Sequence, residues 1–406
     1  MIGGAVVGVA GLALTAARGF MGEGGASVAL HGYLVGFAYW FGLALASLVL
    51  LGIWHAAKAK WVVAIRRPVE IFASTVPIFA LLFVPIALGM KILYPWARSA
   101  EQIAAMPIEH QHVLHHREHW LNPSTFIART VFYFIVWIVM SQVLTGSSFK
   151  QDKTGDPKLT ERMWKWGPAG LPFLGVTLAF AAFDWLMSLE TMWFSSMWGV
   201  YFFAGSFVAL FALLLLVLRA LSSDPSFTGA MRVTHWLATG QFLLAFTAFW
   251  GYIAFDQYML TFVANLPDST PFLIARNNGD WLYVSLALGA GHFIVPFFLL
   301  LSRARKTDPN RIAKVAVWIL IVHFLDVYWM IIPQTSPGEI SLSSTLTALS
   351  AFFGVGGVTV AFALYRFQGM SALPVKDPFL AESLAYKTVT AGTSFMTDPP
   401  VEASGQ

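Results

Sequence analysis

Seven ionisable side chains lie inside long apolar runs of this sequence: His31, Asp184, His235, Asp256, His292, His323 and Asp326. Glu70, Arg129 and Glu190 lie near the ends of such runs. An aspartate at the centre of a membrane helix costs about 2.5 to 3.5 kcal/mol on insertion scales, so each of these groups needs a partner or a task. His323 and Asp326 are the strongest pair, because i and i+3 share a helix face on which a carboxylate can hold or share an imidazole proton. At 1.5 Å per residue, His323 is roughly 17 Å from the inner end of its run and His292 roughly 14 Å from the inner end of the run before it. Consecutive antiparallel helices would therefore bring the two imidazoles to similar depth. Asp184, Asp256 and Asp326 all fall in the outer halves of their runs and, facing inward, would form an acidic lining open to the outside. The fitting chemistry is a proton path or a polar pocket for a quinone headgroup, with Asp184, Asp256, His292, His323 and Asp326 as its candidate residues. The plainer alternative is hydrogen-bond glue between helices. His31 and His235, near run ends, read as wet, locally satisfied histidines.

Outside the apolar runs, His110 to Trp120 places His112, His115, His116 and His119 at i, i+3, i+4 and i+7, one face if helical. Imidazole clusters bind zinc or copper, but Glu109, Arg117 and Glu118 make the segment polar throughout. It reads as an outer-surface, pH-sensitive docking loop, and no metal site is expected in the chain. Trp185, Trp193 and Trp198 with Met187, Met192 and Met197 read as an interfacial belt.

The elements that must position these groups follow from composition. Of 406 residues, 57% are hydrophobic and only 11% charged, against about 25% charged in a soluble domain. The apolar runs approach the roughly 20 residues that cross a bilayer as a helix, so the chain is expected to be an all-α polytopic membrane protein with about ten transmembrane helices. Their approximate limits are Ile2 to Ala17, Val28 to Trp54, Ile71 to Leu93, Phe126 to Leu144, Leu171 to Met187, Met197 to Leu218, Val233 to Phe255, Trp281 to Leu301, Ile312 to Ile332 and Leu346 to Tyr365. The first is short, and Thr15-Ala16-Ala17 could mimic a signal-peptide cleavage site, yet no basic region precedes it. A retained helix is expected. Every Lys and Arg except Arg18, Lys91, Arg98, Arg117, Arg129 and Arg276 falls in the loops after even-numbered runs or in the tail. By the positive-inside rule both termini are cytoplasmic. The reading is a single membrane domain over residues 1–366 and an extended cytoplasmic tail over 367–406, whose Pro, Ser, Thr and Gly content shows little apolar periodicity.

The same composition narrows the function classes. The basic residues form no stripe, which speaks against nucleic acid as a partner. Absence of cysteine excludes iron–sulfur ligation, CxxCH haem attachment, thiolate catalysis and disulfides by this chain. No GxxxxGK[ST] loop or HExxH helix is present. The segment Ala182 to Met187 recurs as Ala254 to Met259 and, more loosely, as Phe324 to Met330. Repeated four-helix units would produce this echo, and so would ordinary interfacial aromatics.

The run from Phe183-Asp184-Trp185-Leu186-Met187-Ser188-Leu189-Glu190 through Trp193-Phe194-Ser195-Ser196-Met197-Trp198-Gly199-Val200-Tyr201 resembles the ActF subunits of bacterial alternative complex III, relatives of the NrfD and PsrC membrane anchors. Arg66-Arg67-Pro68-Val69-Glu70, Trp120-Leu121-Asn122-Pro123 with Arg129, Ser148-Phe149-Lys150-Gln151-Asp152 and Asp377 to Leu384 extend the likeness over nearly the whole chain. The resemblance implies two four-helix bundles plus two extra helices in the bacterial cytoplasmic (inner) membrane. It implies a non-autonomous subunit of a complex that oxidises quinol and passes electrons to a cytochrome c or another acceptor. The implied partners are a paralogous NrfD-like ActC subunit, an iron–sulfur protein, multihaem and monohaem cytochromes c, and lipids. Haem and iron–sulfur clusters would belong to those other subunits, and the quinone site would belong either to this chain or to ActC. Asp184 sits inside the matching motif; the other candidate residues rest on position and chemistry. Two alternatives use the same side chains: a di-haem b-type cytochrome ligated by His292 and His323, and a proton-coupled secondary transporter.

Overall fold

Inside a bilayer each backbone N–H and C=O must find a partner within the chain, and helices achieve this segment by segment. A computed structural model describes residues 1–22, 24–224, 227, 229–265 and 270–387, and every regular element among them is helical. The protein is an all-α polytopic membrane protein. Ten long helices follow the predicted runs: α1 (Ile2–Arg18), α2 (Gly25–Ala56), α3 (Val63–Leu88), α4 (Pro123–Thr154), α5 (Lys158–Leu189), α6 (Trp198–Leu221), α7 (Val233–Ala264), α8 (Asp280–Leu301), α9 (Pro309–Ile331) and α10 (Leu342–Phe367). Among the described residues, α2 to α10 are nine helices long and apolar enough to cross a membrane, while α1 has 17 residues. Asn122 and Asp308 accept backbone N–H groups ahead of Pro123 and Pro309, so α4 and α9 each begin on a side-chain cap followed by a proline that needs no donor partner.

Helices α2 to α5 pack as one four-helix group and α6 to α9 as a second, meeting along a seam of α2 and α5 against α6 and α9. The extra pair, α1 and α10, lies side by side with α10 against α2. Lipid tails give apolar helices no hydrophobic reason to associate, so close contact rests on small residues. Gly4, Gly8 and Gly11 of α1 face Gly354 and Gly357 of α10, and a Cβ on Gly8 would stand 2.8 Å from the Val358 backbone nitrogen. A Gly8→Leu variant is expected to lose about 1–3 kcal/mol by overpacking this contact, read as a lower unfolding midpoint in detergent.

Several predicted boundaries move, among them the start of α5, which lies at Lys158 rather than Leu171. Helix α3 begins at Val63, so Arg66, Arg67 and Glu70 sit inside it and are buried. Its later course is broken into short pieces around Pro77 and Pro85, which lack the N–H that would continue the ladder. Helices α4 and α7 have 32 residues each, about 48 Å of helix against a hydrocarbon core of about 30 Å. The end of α4 therefore carries Lys150 and Asp152 as helical rather than loop residues, and α7 runs on past Asp256 to Ala264. Helix α8 contains a π-helical turn, Gly289–Ile294.

The predicted tail is extended apart from a short helix at Leu380–Leu384, but its described part lies on the bundle. Asp377 binds Arg66, the Ser383 hydroxyl accepts the Ala64 N–H and donates to the Trp61 carbonyl, and Thr234 donates to the Tyr386 carbonyl. The remainder of the predicted tail, residues 388–406, lies outside the described residues.

Candidate functional site

Each helix of the second group contributes to one buried polar row. Tyr201, one turn into α6, donates its hydroxyl to Asp326 Oδ1 of α9 at 2.5 Å. Asp326 Oδ2 stands 3.6 Å from His323 Nδ1, one turn earlier on the same helix. The His323 ring lies 5.7 Å from that of His292 on α8, and His292 packs at 4.1 Å against Trp250 of α7. Tyr39 of α2 closes the other side, 5.1 Å from His323. His292 is 0% exposed and neither of its ring nitrogens has a hydrogen-bond partner among the described residues.

Local sequence explains how the row assembles. Gly205 lets α6 come close to α9, since a Cβ there would sit 3.1 Å from His323 Cε1 and 3.2 Å from Asp326 Oδ2. The π-helical turn reorients His292, and Trp318 donates to the Gly291 carbonyl within that turn at 2.7 Å. Widened turns of this kind recur at functional sites because they re-aim one side chain without ending the helix.

Arg276 extends the buried polar row past Tyr201. It is fully buried at the end of the short helix Thr270–Arg276, donating to the Phe272 and Met330 carbonyls and stacked on Phe272. Burial pulls the Arg276 guanidinium down to about 9, against the opposing influence of Glu190 and Tyr201, so it remains cationic at neutral pH. In the other direction, α6 and α7 carry a column of rings, Phe207, Phe211 and Phe246. His292, His323 and Asp326 are also the one group among the described residues whose donor atoms, all within 4.8 Å of one another, converge enough to hold a metal ion. Two imidazoles and a carboxylate suit a first-row transition metal and equally suit proton exchange.

Asp184 lies apart from this row, in the first group, and its carboxylate is saturated. Arg129 grips it with Nε to Oδ2 at 2.9 Å and Nη2 to Oδ1 at 2.8 Å, while Tyr133 donates at 2.8 Å and Trp120 at 3.1 Å. Arg129 also lies over the Trp120 ring and donates to its carbonyl. This latch ties the loop before α4 to α4 and α5. An Asp184→Asn variant is expected to lose about 2–3 kcal/mol of stability, measured by thermal unfolding in detergent.

Of the three echoed aspartates, Asp184 and Asp326 both lie on the fourth helix of their group and both accept a tyrosine hydroxyl. Asp256 does neither. It sits half-buried on α7, without an ion pair or side-chain hydrogen bond among the described residues. His31 and His235 are buried rather than wet: His31 bonds to the Ser27 carbonyl, and His235 accepts the Arg232 N–H beneath the docked tail. Helix Ile108–Arg117 carries His112, His115 and His116 on an exposed surface, with His119 beyond its end. Arg117 reaches in to the Thr191 carbonyl, and burial lowers its guanidinium from the ordinary arginine value.

A second charged group went unnoticed as a unit in the sequence because its members are far apart. Arg66 binds Glu70 and Asp377, and Arg67 binds Glu70 and Asp152. The five side chains join α3, α4 and the tail at the basic end of the bundle. Tyr201, Trp250 and Arg276 were likewise missed as members of the buried row. Arg276 had carried a signal, being the one cation in its predicted loop.

The chain was compared with known protein families and with curated proteins, and nothing in either set matches it.

Proposed function

We propose that the chain is a proton-handling membrane subunit of a quinol:acceptor oxidoreductase complex, without a redox metal centre of its own. The observation that carries this reading is the buried row Tyr201–Asp326–His323–His292, assembled from three helices. Proton transfer needs groups that exchange protons over short distances, and these groups form such a series. Asp326 Oδ2 and His323 Nδ1 face each other at 3.6 Å without a hydrogen bond, and His292, with both nitrogens unpartnered, stands next in the row. Tyr201 orients Asp326, and the buried Arg276 offers a fixed positive charge beyond Tyr201. The ring column below the histidines supports a half-path or proton reservoir over a continuous channel.

Quinol oxidation releases two electrons and two protons, and the electrons would leave through centres on other subunits, as the ActF likeness implies. The packed imidazoles offer a quinone headgroup little space. A cleft of about 320 Å³ lined by Arg117, Trp120, Phe183, Glu190, Trp193 and Phe194 suits an aromatic headgroup better. The quinone reading therefore belongs to that cleft, at the same end as the Asp184 latch.

Mild-detergent purification through a tag on this chain tests the proposal. Recovery with multihaem cytochromes, an iron–sulfur protein and quinol oxidation is the expected result. A chain recovered alone with a b-type haem spectrum would overturn it in favour of the di-haem cytochrome, and a colourless isolated oligomer would overturn it in favour of a transporter.

A further inference from the structure

At the basic end of the bundle, the last turns of α4 and α10 and the first residues of the tail enclose a cleft of about 630 Å³. Its rim carries Lys150 and Lys153, one turn apart on α4, and Arg366 in the last turn of α10. None of these three cations forms an ion pair with a described residue. Arg366 Nε is a buried donor without a partner. Phe149 forms the wall between Arg67 and Arg366, its ring 5.3 Å and 5.6 Å from the two guanidinium carbons. With Ile71, Ala363 and Met370 it makes an apolar floor.

The lining also contains one carboxylate, Asp152, whose Oδ2 is held by Arg67. Its Oδ1 is a buried acceptor without a donor. Three cations against one half-engaged carboxylate favour an anion that also carries a hydroxyl donor. Farther along the same two helices, Val139 of α4 and Leu364 and Tyr365 of α10 are exposed apolar residues. The positive-inside rule assigns this end to the cytoplasmic leaflet, where anionic lipids meet basic pockets between helices.

We infer that this cleft binds an anionic phospholipid with a glycerol headgroup, of the phosphatidylglycerol class. Lys150, Lys153 and Arg366 hold the phosphate, Asp152 Oδ1 accepts a headgroup hydroxyl, and the acyl chains run along α4 and α10. Gly146 is part of the lining, and a Cβ there would meet nothing within 4 Å, so a larger residue fills the cleft without a clash at its base.

Native mass spectrometry of the purified full-length protein, delipidated in detergent and then titrated with phosphatidylglycerol, phosphatidic acid, phosphatidylethanolamine or inorganic phosphate, tests this. Phosphatidylglycerol is expected to bind in preference to the other two lipids. A Lys150→Gln/Arg366→Gln double variant should weaken it about tenfold to thirtyfold, and Lys150→Arg should retain it. Gly146→Phe leaves every charge in place and should abolish the adduct, which keeps the test decisive if the double variant folds poorly. Equal binding of phosphatidylglycerol and phosphatidylethanolamine, or an unchanged adduct in Gly146→Phe, would overturn the assignment. Competition by millimolar phosphate alone would overturn it in favour of a free-phosphate site.

Discussion

Replacing Asp326 with asparagine is expected to leave assembly near the wild-type level while lowering quinol-dependent, proton-coupled turnover by about 100-fold or more. The variant keeps the shape and the acceptor oxygen that Tyr201 uses at 2.5 Å, but it cannot take up a proton. General acid–base groups typically contribute about 100-fold to 10,000-fold, which sets the scale. His323→Gln should behave alike, because it removes the imidazole that faces Asp326 Oδ2. Steady-state oxidation by the purified complex, with proton release followed by a pH dye in vesicles, reads both effects. Wild-type turnover and coupling in an assembled Asp326→Asn complex would reduce the buried row to helix glue.

The second large effect is on stability. Glu70→Ala removes the carboxylate shared by Arg66 and Arg67, whose side chains are 4% and 1% exposed. Breaking a buried ion pair from one side costs about 3–5 kcal/mol, because the remaining charge keeps its desolvation penalty and loses its partner. Here two guanidinium groups are affected, and Asp152 and Asp377 can each offset only part of the loss. The expected outcome is little folded protein, or an unfolding midpoint far below wild type, seen by size-exclusion chromatography and thermal unfolding in the same detergent. Lys60, which pairs with Glu382 at a half-exposed site, offers the control: Lys60→Ala should change stability by less than about 1 kcal/mol.

Much of the fold was legible because a bilayer imposes a length and a polarity on each segment. The ten runs appear as ten helices, and the matched depth expected of His292 and His323 appears as two rings 5.7 Å apart. What the pattern could not supply was side-chain pairing across distant segments. Arg66 and Arg67 looked like loop cations under the positive-inside count. They are helical and buried because Glu70, Asp152 and Asp377, from three parts of the chain, neutralise them. Asp184 looked like a free acid of the lining, whereas Arg129, Tyr133 and Trp120 occupy its oxygens. Its partners lie 51 to 64 residues upstream, beyond the reach of any helical periodicity. The π-helical turn at His292 was hidden for another reason: one extra residue in a turn barely disturbs an apolar run.

On the proposed function, the Asp326–His323 pair changes its protonation when the complex oxidises quinol. Infrared difference spectroscopy of the purified complex, oxidised minus reduced, measures this directly through the carboxyl C=O stretch. A carboxyl band that shifts in D₂O and disappears in Asp326→Asn is expected in the wild-type difference spectrum. An identical difference spectrum in wild type and Asp326→Asn would contradict it.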